Sequence, residues 1–383
     1  MRITGYRSLS TVNDWGRPIG DVNGIIESGV TDIPVLVVTT DDGIEGIGLG
    51  AHDDVGRVFP VIDGQDPRAV SWLYDRMLAA VFKTGHAGAT FGAIGAVDMA
   101  LWDIKAKAAG EPLWRLLGGN DRFVPGYASG LDYGLDDAGL TTLYNQFAAA
   151  GFTGAKVKGG LDIDHDIARL SLVEEVLASA SGERPWLTMD VNEAWNRAQA
   201  VRFLRRLEQH HDLVWVEEPL RRWDAAGHAA LRAATRTAIA TGENLTGLEQ
   251  YRPLFDAHAV DIVQTGSVWG VTHFLRVAHA AHAADLMVSP VGYNANPLAA
   301  AATAVPNHVA LEVQDLGRPT GLDVDQQLAD GGVVLGDRPG LGIEIDETSF
   351  VDRRGGAAPV HPGRLLRPER AGRRTTISGT PRP

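Results

Sequence analysis

The sequence predicts an α/β protein whose main part is a closed barrel of alternating strands and helices. Eight short apolar runs follow one another between residues 123 and 313, and amphipathic stretches separate them. Each strand–helix unit takes about 25–30 residues, which is typical of parallel βαβ units. Eight such strands in about 200 residues fit a closed (β/α)8 barrel better than an open sheet. An open, doubly wound sheet is the alternative, but no G-x-G-x-x-G motif follows a first strand to support it.

The N-terminal part is predicted to form strands and one long helix. The run Val35–Thr40 is rich in β-branched residues and ends in Asp41-Asp42-Gly43, which is a hairpin signal. Apolar residues at helical spacing predict a helix from about Ala93 to Ala109. The sequence Leu116-Leu117-Gly118-Gly119 ends this region, because glycine commonly follows a helix. We therefore place the first domain boundary near residue 120.

The barrel elements are predicted from short apolar runs that alternate with amphipathic stretches. The predicted strands are Phe123–Ser129, Gly154–Lys158, Trp186–Asp190, Leu213–Glu217, Ala238–Thr241, Val260–Gln264, Leu286–Ser289 and Val309–Val313. The predicted helices include Asp166–Ala178, Ala198–Gln209, Ala225–Ala234 and Val268–Ala283. This division assigns residues 1–120 to a first unit and residues 121–320 to the barrel. Residues 321–352 are then a return segment, and residues 353–383 a basic tail that we expect to be flexible.

Composition excludes several functional classes. Hydrophobic residues make up 44% of the 383 residues and charged residues 22%, which argues against a disordered or collagen-like chain. The absence of cysteine excludes disulfides, thiolate nucleophiles and Cys-zinc sites. No apolar run reaches the roughly 18 residues of a membrane span, and the first residues lack a signal-peptide pattern. We therefore expect a soluble, cytoplasmic protein.

Charge is distributed unevenly along the chain. The formal net charge is −13, although residues 353–383 hold eight arginines and a single acid, Glu369. The rest of the chain is therefore even more acidic than the total, and it would repel nucleic acid and anionic lipid. We expect neither nucleic acid nor a membrane as a partner, and we interpret the tail as a solvated extension.

Charged residues end four successive predicted strands. They are Lys156 and Lys158, then Asp190, then Glu217, and finally Glu243, each about one βα unit after the last. Side chains at the carboxyl ends of barrel strands point into the active-site mouth, so three carboxylates would converge there. A divalent cation would relieve their repulsion, with Mg²⁺ first and Mn²⁺ second for all-oxygen ligands. Helix caps or solvated loop acids remain the alternative interpretation.

Lysine is rare in this chain, which draws attention to the pair Lys156 and Lys158. Only five of the 35 basic residues are lysines, and residues i and i+2 of a strand share one face. Two ammonium groups that lie close together, near a cation, are expected to lower the pKa of one of them. Lys158 would then act as a base, assisted by Lys156. Two surface lysines are the alternative, although the alternation with Ala155 and Val157 argues against it.

Motifs along nearly the whole chain resemble one known group of enzymes, the mandelate racemase/muconate lactonizing enzyme family of the enolase superfamily. These motifs are Val35–Gly50, Ala96-Val97-Asp98-Met99-Ala100-Leu101-Trp102-Asp103, Leu116-Leu117-Gly118-Gly119, Lys156-Val157-Lys158, Asp190-Val191-Asn192, Trp215-Val216-Glu217-Glu218-Pro219, Gly242-Glu243-Asn244 and Pro339-Gly340-Leu341-Gly342. The resemblance implies a modified TIM barrel, usually (β/α)7β, closed by an α+β capping domain built from N- and C-terminal segments.

The resemblance also implies roles for individual residues. Asp190, Glu217 and Glu243 would bind Mg²⁺, and Lys158 would remove the proton α to a carboxylate, with Lys156 assisting. Enzymes of this superfamily are known to combine a Lys or His base with Mg²⁺, which stabilises the enediolate that proton removal creates. Candidate substrate-binding residues are Asn192, Glu312, Tyr293, Asn294, Arg17 and Asp21. Glu312 aligns with a position that hydrogen-bonds the substrate carboxylate, and Arg17 and Asp21 belong to a loop that covers the barrel mouth; an ordinary loop acid and a solvated turn are the alternatives.

One feature of the family pattern is missing. Racemases and many acid-sugar dehydratases of the family carry an Asp-His dyad opposite the lysine, whereas here Gly266 and Val291 stand at those positions. The opposite side then offers Tyr293, Asn294 and Asn296, with His52 or Asp53 from the first unit as further candidates. Tyr and Asn can donate hydrogen bonds, but they are poor bases near neutral pH. His273, His279 and His282 lie in a predicted helix, and we interpret them as structural.

A single visible base limits the reaction. Dehydration of a hydroxylated carboxylate, such as an acid sugar, needs only one lysine and is the leading hypothesis. A cycloisomerase or a racemase/epimerase of a carboxylate is the alternative, and a non-catalytic metal-binding homologue comes after these. We expect a small-molecule carboxylate as the substrate and a homo-oligomer as the assembly.

Overall fold

The computed structural model describes residues 1–292 and 297–352, together with the backbone of residues 364–365. Within these ranges the chain forms an N-terminal layer of sheet and helix and a barrel of parallel strands. The last described segments run back from the barrel to the N-terminal layer. This is a modified TIM barrel with an α+β capping layer, which confirms the predicted fold class.

The capping layer is built on long antiparallel pairings. Its strands and helices are β1 (Ile3–Asp14), β2 (Ile19–Asp21), β3 (Gly24–Ile26), β4 (Val30–Thr40), β5 (Glu45–Leu49), α1 (Val55–Val58), α2 (Val70–Ala80), α3 (Gly88–Ala109) and α4 (Leu113–Leu116). Strand β4 pairs with both β1 and β5, so the predicted Asp41-Asp42-Gly43 hairpin is confirmed. Strand β4 is unusually apolar because both of its faces are covered: Leu36 and Val38 belong to the main core, and Val35 and Val37 to a second cluster.

Helix α3 joins the capping layer to the barrel. It is buried along almost its whole length and ends at Gly110, whose φ of 69° suits glycine. Gly95 permits the closest approach, since a Cβ atom there would lie 2.3 Å from the carbonyl oxygen of Val268. The side chain of Asp98 accepts hydrogen bonds from the backbone N–H and the hydroxyl of Thr272. The two parts of the molecule are therefore held together by buried contacts.

The barrel contains eight parallel strands and seven intervening helices. In chain order they are β6 (Phe123–Ser129), α5 (Asp137–Ala149), β7 (Gly154–Lys158), α6 (Ile163–Ser181), β8 (Trp186–Asp190), α7 (Arg197–Leu207), β9 (Trp215–Glu217), α8 (Ala225–Ala234), β10 (Ala238–Thr241), α9 (Leu248–Asp256), β11 (Ile262–Gly266), α10 (Val271–Ala283), β12 (Met287–Val291), α11 (Leu298–Ala302) and β13 (Leu311–Val313). Strand β13 pairs with β6, and a bridge from Val288 to His308 connects β12 with the chain before β13. The order is (β/α)7β, as the resemblance implies.

Two of the predicted strands are displaced along the chain. The strand predicted at Val260–Gln264 lies at Ile262–Gly266, and the one predicted at Leu286–Ser289 lies at Met287–Val291. Apolar residues such as Val260 are buried before the strand pairing begins, so hydrophobicity alone placed the strands too early. As a result, Gly266 and Val291 form the carboxyl ends of their strands.

The C-terminal segment returns along the barrel to the capping layer. It contains β14 (Leu322–Val324), β15 (Gln326–Ala329), β16 (Gly332–Leu335), β17 (Ile343–Ile345), β18 (Val351–Asp352) and β19 (Arg364–Leu365). The β15–β16 hairpin extends the barrel sheet from β6, whereas β14 and β17 pack on the second cluster of the capping layer. Strand β18 pairs with β1, and the backbone of β19 pairs with β3. The rest of the predicted tail, residues 353–363 and 366–383, lies outside the described residues.

An aromatic cluster fills the barrel below the strand ends. Tyr127, Trp186 and Trp215 come from three different strands, and their ring centroids lie 5.5–5.7 Å apart. Such a packed floor is usual for this architecture and leaves the opening at the carboxyl ends of the strands. Within the described ranges, no helix is both long enough and apolar enough to cross a membrane.

The buried carboxylate of Asp98 predicts a pH-dependent stability difference. Burial raises its pKa to about 7, so the folded state binds this proton more tightly than the unfolded state. The stabilisation by this group is complete at low pH and declines between about pH 4 and pH 7. Replacement Asp98→Asn removes this titration. As the pH rises through that window, the unfolding free energy of the variant should therefore increase relative to that of the wild type by up to about 1.4 kcal/mol per pH unit.

The measurement is urea unfolding of both proteins at several pH values. Glu344→Gln, which removes an exposed carboxylate, serves as the control. A difference between Asp98→Asn and wild type that stays constant with pH would contradict the raised pKa.

Candidate active site

Strand register brings the predicted lysines and carboxylates together. Lys158 of β7 lies opposite Asp190 of β8, and Asp190 lies opposite Glu217 of β9. All five residues of β7 are buried, so both lysines leave water on folding. Because residues i and i+2 share one face, Lys156 also points into the barrel. The predicted convergence of Lys156, Lys158, Asp190 and Glu217 is confirmed.

Lys156 is held by carboxylates on two sides. Its Nζ atom donates to both carboxylate oxygens of Glu217, at 2.8 and 2.9 Å, and lies 2.7 Å from Glu312 Oε1. Burial alone would lower the pKa of Lys156, but the charges of Glu217 and Glu312 outweigh it and raise that pKa well above its usual value. Lys156 is therefore a fixed cation at the base of the site.

Lys158 lies nearer to the barrel mouth and is 5% exposed. Its Nζ atom donates to Asp190 Oδ2 at 2.5 Å and to Asn192 Oδ1 at 3.4 Å. Burial and the neighbouring Lys156 both lower the pKa of Lys158, but the charge of Asp190 outweighs them and raises it. The expected lowering counted the second ammonium and a nearby cation, and it omitted the direct ion pair with Asp190, which acts in the opposite direction.

The remaining carboxylates form the acidic side of the site. Glu217 and Glu218 are fully buried and Glu243 is partly buried, and the low-polarity surroundings together with neighbouring carboxylates raise the pKa of each to about 8. The side-chain amide of Asn244 donates to Glu218 Oε1 and to Glu243 Oε1, both at 2.9 Å. Glu218 also has a φ of 43°, which is strained for a glutamate. The sequence showed Glu218 only as a neighbour of Glu217 and gave no sign of this contact.

The donor set suits a divalent cation. Asp190, Glu217 and Glu243 supply only carboxylate oxygens, which Mg²⁺ prefers, and their mutual repulsion raises the pKa of the two glutamates. Among the described residues, no group of three His, Cys, Asp or Glu side chains stands ready to hold a metal ion. The reason is local: Asp190 and Glu217 turn toward the lysine ammonium groups, and Glu243 toward the amide of Asn244.

Glu312 belongs to the same site, at the end of the last barrel strand. Its Oε1 atom accepts from Ser129 Oγ at 2.7 Å, and its Oε2 atom accepts from the Gly292 N–H at 3.0 Å and from Gln314 Nε2 at 2.9 Å. Burial would raise its pKa, but Lys156 and Lys158 lower it. Glu312 therefore stays ionised beside the two cations.

Asn192 shapes the loop that follows β8. Its φ is 41°, its N–H donates to Asp190 Oδ1 at 2.9 Å, and its side-chain oxygen accepts from Lys158. Asparagine tolerates this left-handed conformation better than most residues. Asn192 thus orients Asp190 and contacts Lys158 at once.

The predicted cover residues lie on strand β2 and in the turn before it. Asp21 Oδ1 accepts from the N–H of Asn23 at 2.5 Å, which tightens the β2–β3 turn. Arg17 is half-buried beside the ring of Trp15, and burial lowers the pKa of Arg17. The N–H of Gly20 donates to the carbonyl oxygen of Leu131 at 2.8 Å, so the cover segment rests on the first barrel loop.

The side opposite the lysines carries neither acid nor base at the two strand ends. Gly266 ends β11 and Val291 ends β12, directly beside each other in the register. Tyr293 and Asn294, predicted for this side, lie outside the described residues, as does Asn296. His52 sits in the capping layer, where it bonds to Ser8 Oγ and to the Gly50 carbonyl oxygen.

Of the three helical histidines, His273 is buried and is consistent with a structural role, whereas His279 and His282 are exposed. His273 is buried beside Phe91 and Tyr251, and burial lowers its pKa to about 3. Its Nε2 atom accepts from the N–H of Gly247 at 3.2 Å. His273 therefore stays neutral and packs between helices.

Sequence reasoning missed one group of buried residues behind the lysine strand. Asp132, Tyr144 and Arg169 form a network that contacts the main chain of both lysines. Asp132 follows β6 in a stretch typical of a turn, and Tyr144 and Arg169 lie on the buried faces of α5 and α6. No spacing pattern links these three positions.

Family models match most of the chain. Residues 28–118 match the mandelate racemase/muconate lactonizing enzyme N-terminal domain, and residues 140–349 match the enolase C-terminal domain-like family. The first matched region falls in the capping layer, and the second covers most of the barrel and the return segment.

Similar proteins include a dehydratase and a cycloisomerase. The L-talarate/galactarate dehydratase of Salmonella typhimurium is 32% identical over 349 residues, which cover 86% of this chain and 85% of that protein. The 3,6-anhydro-alpha-L-galactonate cycloisomerase of Streptomyces coelicolor is 32% identical over 330 residues, which cover 82% of this chain and 90% of that protein.

A solved structure shares the fold closely. A racemase from Streptomyces coelicolor A3(2) with bound magnesium superposes with a TM-score of 0.82 at 29% identity. The match covers 90% of this chain and 98% of the racemase.

Proposed function

The chain belongs to the mandelate racemase/muconate lactonizing enzyme family of the enolase superfamily, and from this premise we propose that it dehydrates a hydroxylated carboxylate, such as an acid sugar. The proposed first step is removal of the proton α to the carboxylate, with Mg²⁺ as the cofactor and Mn²⁺ as a second choice. The observation that carries this proposal is the one-sided site, with two buried lysines on β7 and no acid or base at Gly266 and Val291.

Three carboxylates would hold the metal. Asp190 and Glu217 are buried at the ends of β8 and β9, Glu243 is partly buried just after β10, and all three supply oxygen donors only. When bound, Mg²⁺ supplies electrostatic stabilisation of the negative charge that develops on the substrate carboxylate. A cation bound by Asp190 would also weaken the ion pair between that carboxylate and Lys158. Because this ion pair raises the pKa of Lys158, its weakening would lower that pKa.

Lys158 is the proposed base. It lies nearest the mouth, and its Nζ atom is held by Asp190 and Asn192 at the barrel's open end. Lys156 lies deeper, is completely buried and keeps its proton, because Glu217 and Glu312 flank it. Its fixed positive charge would stabilise the same developing negative charge.

A single base is sufficient for dehydration. Lys158 would take the α-proton, and the electron pair of that C–H bond would form a carbon–carbon double bond as the β-hydroxyl leaves. The proton on Lys158 would pass to the leaving oxygen, so that water departs and an enol remains. The enol then becomes a 2-keto acid by ordinary tautomerisation.

Cycloisomerisation is the second candidate. It also requires only one acid/base group, and one relative of comparable similarity is named as a cycloisomerase. Racemisation by two bases is less favoured, because the positions opposite Lys158 hold Gly266 and Val291. A non-catalytic homologue would keep the metal site without needing a lysine at position 158.

Activity should depend on a divalent cation. We expect EDTA to abolish turnover and Mg²⁺ to restore it, with Mn²⁺ as a substitute. Mg²⁺ should also raise the melting temperature of the wild type, because a ligand that binds only the folded state stabilises it. This shift should disappear in Glu243→Gln and persist in Glu344→Gln, which removes an exposed acid. Full activity of the metal-free enzyme would contradict the ligand assignment.

Proton exchange should be restricted to one enantiomer. In D₂O, the enzyme should exchange the α-proton of only one configuration of a substrate carboxylate, because only Lys158 provides a base. The measurement is proton NMR of each enantiomer of small hydroxy acids and acid sugars with Mg²⁺. Equal exchange from both enantiomers would reveal a second base, and exchange from neither would favour the non-catalytic alternative.

Replacement Lys158→Arg should remove the base and retain the charge. Arginine has a pKa above about 12, so almost none is neutral near pH 7. We expect α-proton exchange and turnover to fall by about 10²–10⁴-fold, which is the usual contribution of general-base catalysis. Lys156→Arg should lose less, because the proposed role of Lys156 is electrostatic.

The matched control is Lys83→Arg, since Lys83 is exposed on the capping layer. Steady-state kinetics and α-proton exchange are measured for all three variants. If Lys158→Arg keeps more than about a tenth of the wild-type exchange rate, the base lies elsewhere.

A further inference from the structure

On its β6 side, strand β7 lacks a strand partner at the position of the proposed base, although β8 pairs with it on the other side. Its pairing with β6 ends at Ser129 and Lys156, two residues before Lys158. On this edge the main-chain groups of β7 must therefore find other hydrogen-bond partners, because buried backbone groups are rarely left unpaired.

Asp132 and Tyr144 supply these partners. The N–H of Lys158 donates to Asp132 Oδ1 at 3.1 Å, and the hydroxyl of Tyr144 donates to the Lys156 carbonyl oxygen at 2.8 Å. The same hydroxyl lies 2.7 Å from Asp132 Oδ2, so its single proton is shared between these two acceptors. Both lysine residues are thus held through their main chains from behind the strand.

Arg169 completes this network with a buried positive charge. Its Nη2 atom donates to Asp132 Oδ1 at 2.8 Å and to the Asp132 carbonyl oxygen at 2.9 Å, and its Nη1 atom donates to the Leu135 carbonyl oxygen at 3.0 Å. Asp132 is 0% exposed and Arg169 only 1%. A buried pair of this kind contributes little net stability, so its geometric effect is the more informative property.

The cover segment reaches the same loop. Gly20 of β2 forms a parallel bridge with Asp132, and its N–H donates to the carbonyl oxygen of Leu131 at 2.8 Å. Leu131 has a φ of 47°, so this loop holds a strained conformation between the cover and β7. One short loop therefore contacts the cover on one side and the main chain of Lys158 on the other.

We propose that Asp132 is a positioning residue for Lys158, and that the loop Leu131–Asp132 couples the cover strand β2 to that lysine. Asp132 accepts a hydrogen bond from the main-chain N–H of Lys158 and not from its Nζ atom, so Asp132 acts through the backbone of the strand. This inference rests on the proposed role of Lys158 as the base. It extends that role by naming what holds the lysine in place.

The first test is Asp132→Asn with kinetics and hydrogen exchange. A small displacement of a catalytic group costs up to about 100-fold in rate, so kcat for α-proton exchange should fall about 10- to 100-fold while KM changes less than about threefold. Amide hydrogen exchange of the peptide that contains Lys158 should become faster. This second readout does not depend on which group is the base.

A matched control separates positioning from general destabilisation. Asp166 is also a buried carboxylate behind this region, and it accepts from the N–H of Gly160 at 2.8 Å. Asp166→Asn should lower the melting temperature but keep kcat per folded enzyme within about threefold, because its hydrogen bond goes to Gly160 and not to Lys158. An equal fall of kcat in Asp166→Asn, or an unchanged kcat in Asp132→Asn, would overturn the positioning role.

Asp132→Asn leaves Arg169 without its charged partner, so this variant could fail to fold. In that case Tyr144→Phe keeps the proposal testable. It removes two hydrogen bonds and retains both charges. We expect the same split between kcat and KM, with a smaller effect. A Tyr144→Phe enzyme with wild-type kcat and unchanged amide exchange would contradict the network.

Coupling to the cover is tested by Gly20→Ala. A Cβ atom at Gly20 would lie 2.2 Å from the Gly24 carbonyl oxygen, so the backbone of the β2–β3 hairpin must shift. If the loop Leu131–Asp132 transmits this shift, the kcat effects of Gly20→Ala and Tyr144→Phe should be non-additive. Additive effects would overturn the coupling.

Lys158→Arg, measured in parallel, identifies which idea has failed. If Lys158→Arg retains exchange, the proposed function fails whatever Asp132→Asn does. If Lys158→Arg is inactive and Asp132→Asn is fully active, the proposed function stands and the positioning role fails.

Discussion

Folding removes two lysine ammonium groups and several carboxylates from water, and the rest of the structure depends on how these charges are paired. Such charges are tolerated in a barrel interior only when each has partners in well-defined positions. Lys156 lies between Glu217 and Glu312, and Lys158 lies against Asp190, so four strands contribute charge to a single network. The strand register that aligns these residues therefore brings opposite charges together as well as packing the strands. Any shift of one strand by a single residue would turn its charge out of the network.

Asymmetry of the site follows from the same network. The charged side chains of the lysine–carboxylate network come from β7, β8, β9, β13 or the residues just after β9 and β10, whereas β11 and β12 end in Gly266 and Val291. Charge balance on the lysine side does not require partners on the other side. The opposite wall could therefore change while the lysine side of the site stays intact, which is one way in which a single fold can host different reactions.

Much of this arrangement could be predicted from the sequence, because it depends on short-range rules. The period of two along β7 and the length of each βα unit were enough to bring Lys158, Asp190 and Glu217 together. Properties that depend on distances between atoms in the folded chain could not be predicted from the sequence. The direction of the Lys158 pKa shift depends on a direct contact with Asp190, and the role of Asp132 depends on where β6 ends beside β7. Strand β11 was placed too early because burial begins at Val260, before strand pairing does.

The contact between helix α3 and the barrel has a consequence for how substrate enters. Gly95 lies against the backbone of Val268, and Asp98 is bonded to Thr272, so separating the two parts would expose a carboxylate and an apolar helix together. If the capping layer moved away from the barrel as a rigid lid, these contacts would break in every catalytic cycle. The β2–β3 hairpin is a much smaller element, and local opening of a short segment costs less than separation of two buried layers. We therefore expect substrate and product to pass when this hairpin moves, while helix α3 stays packed on the barrel.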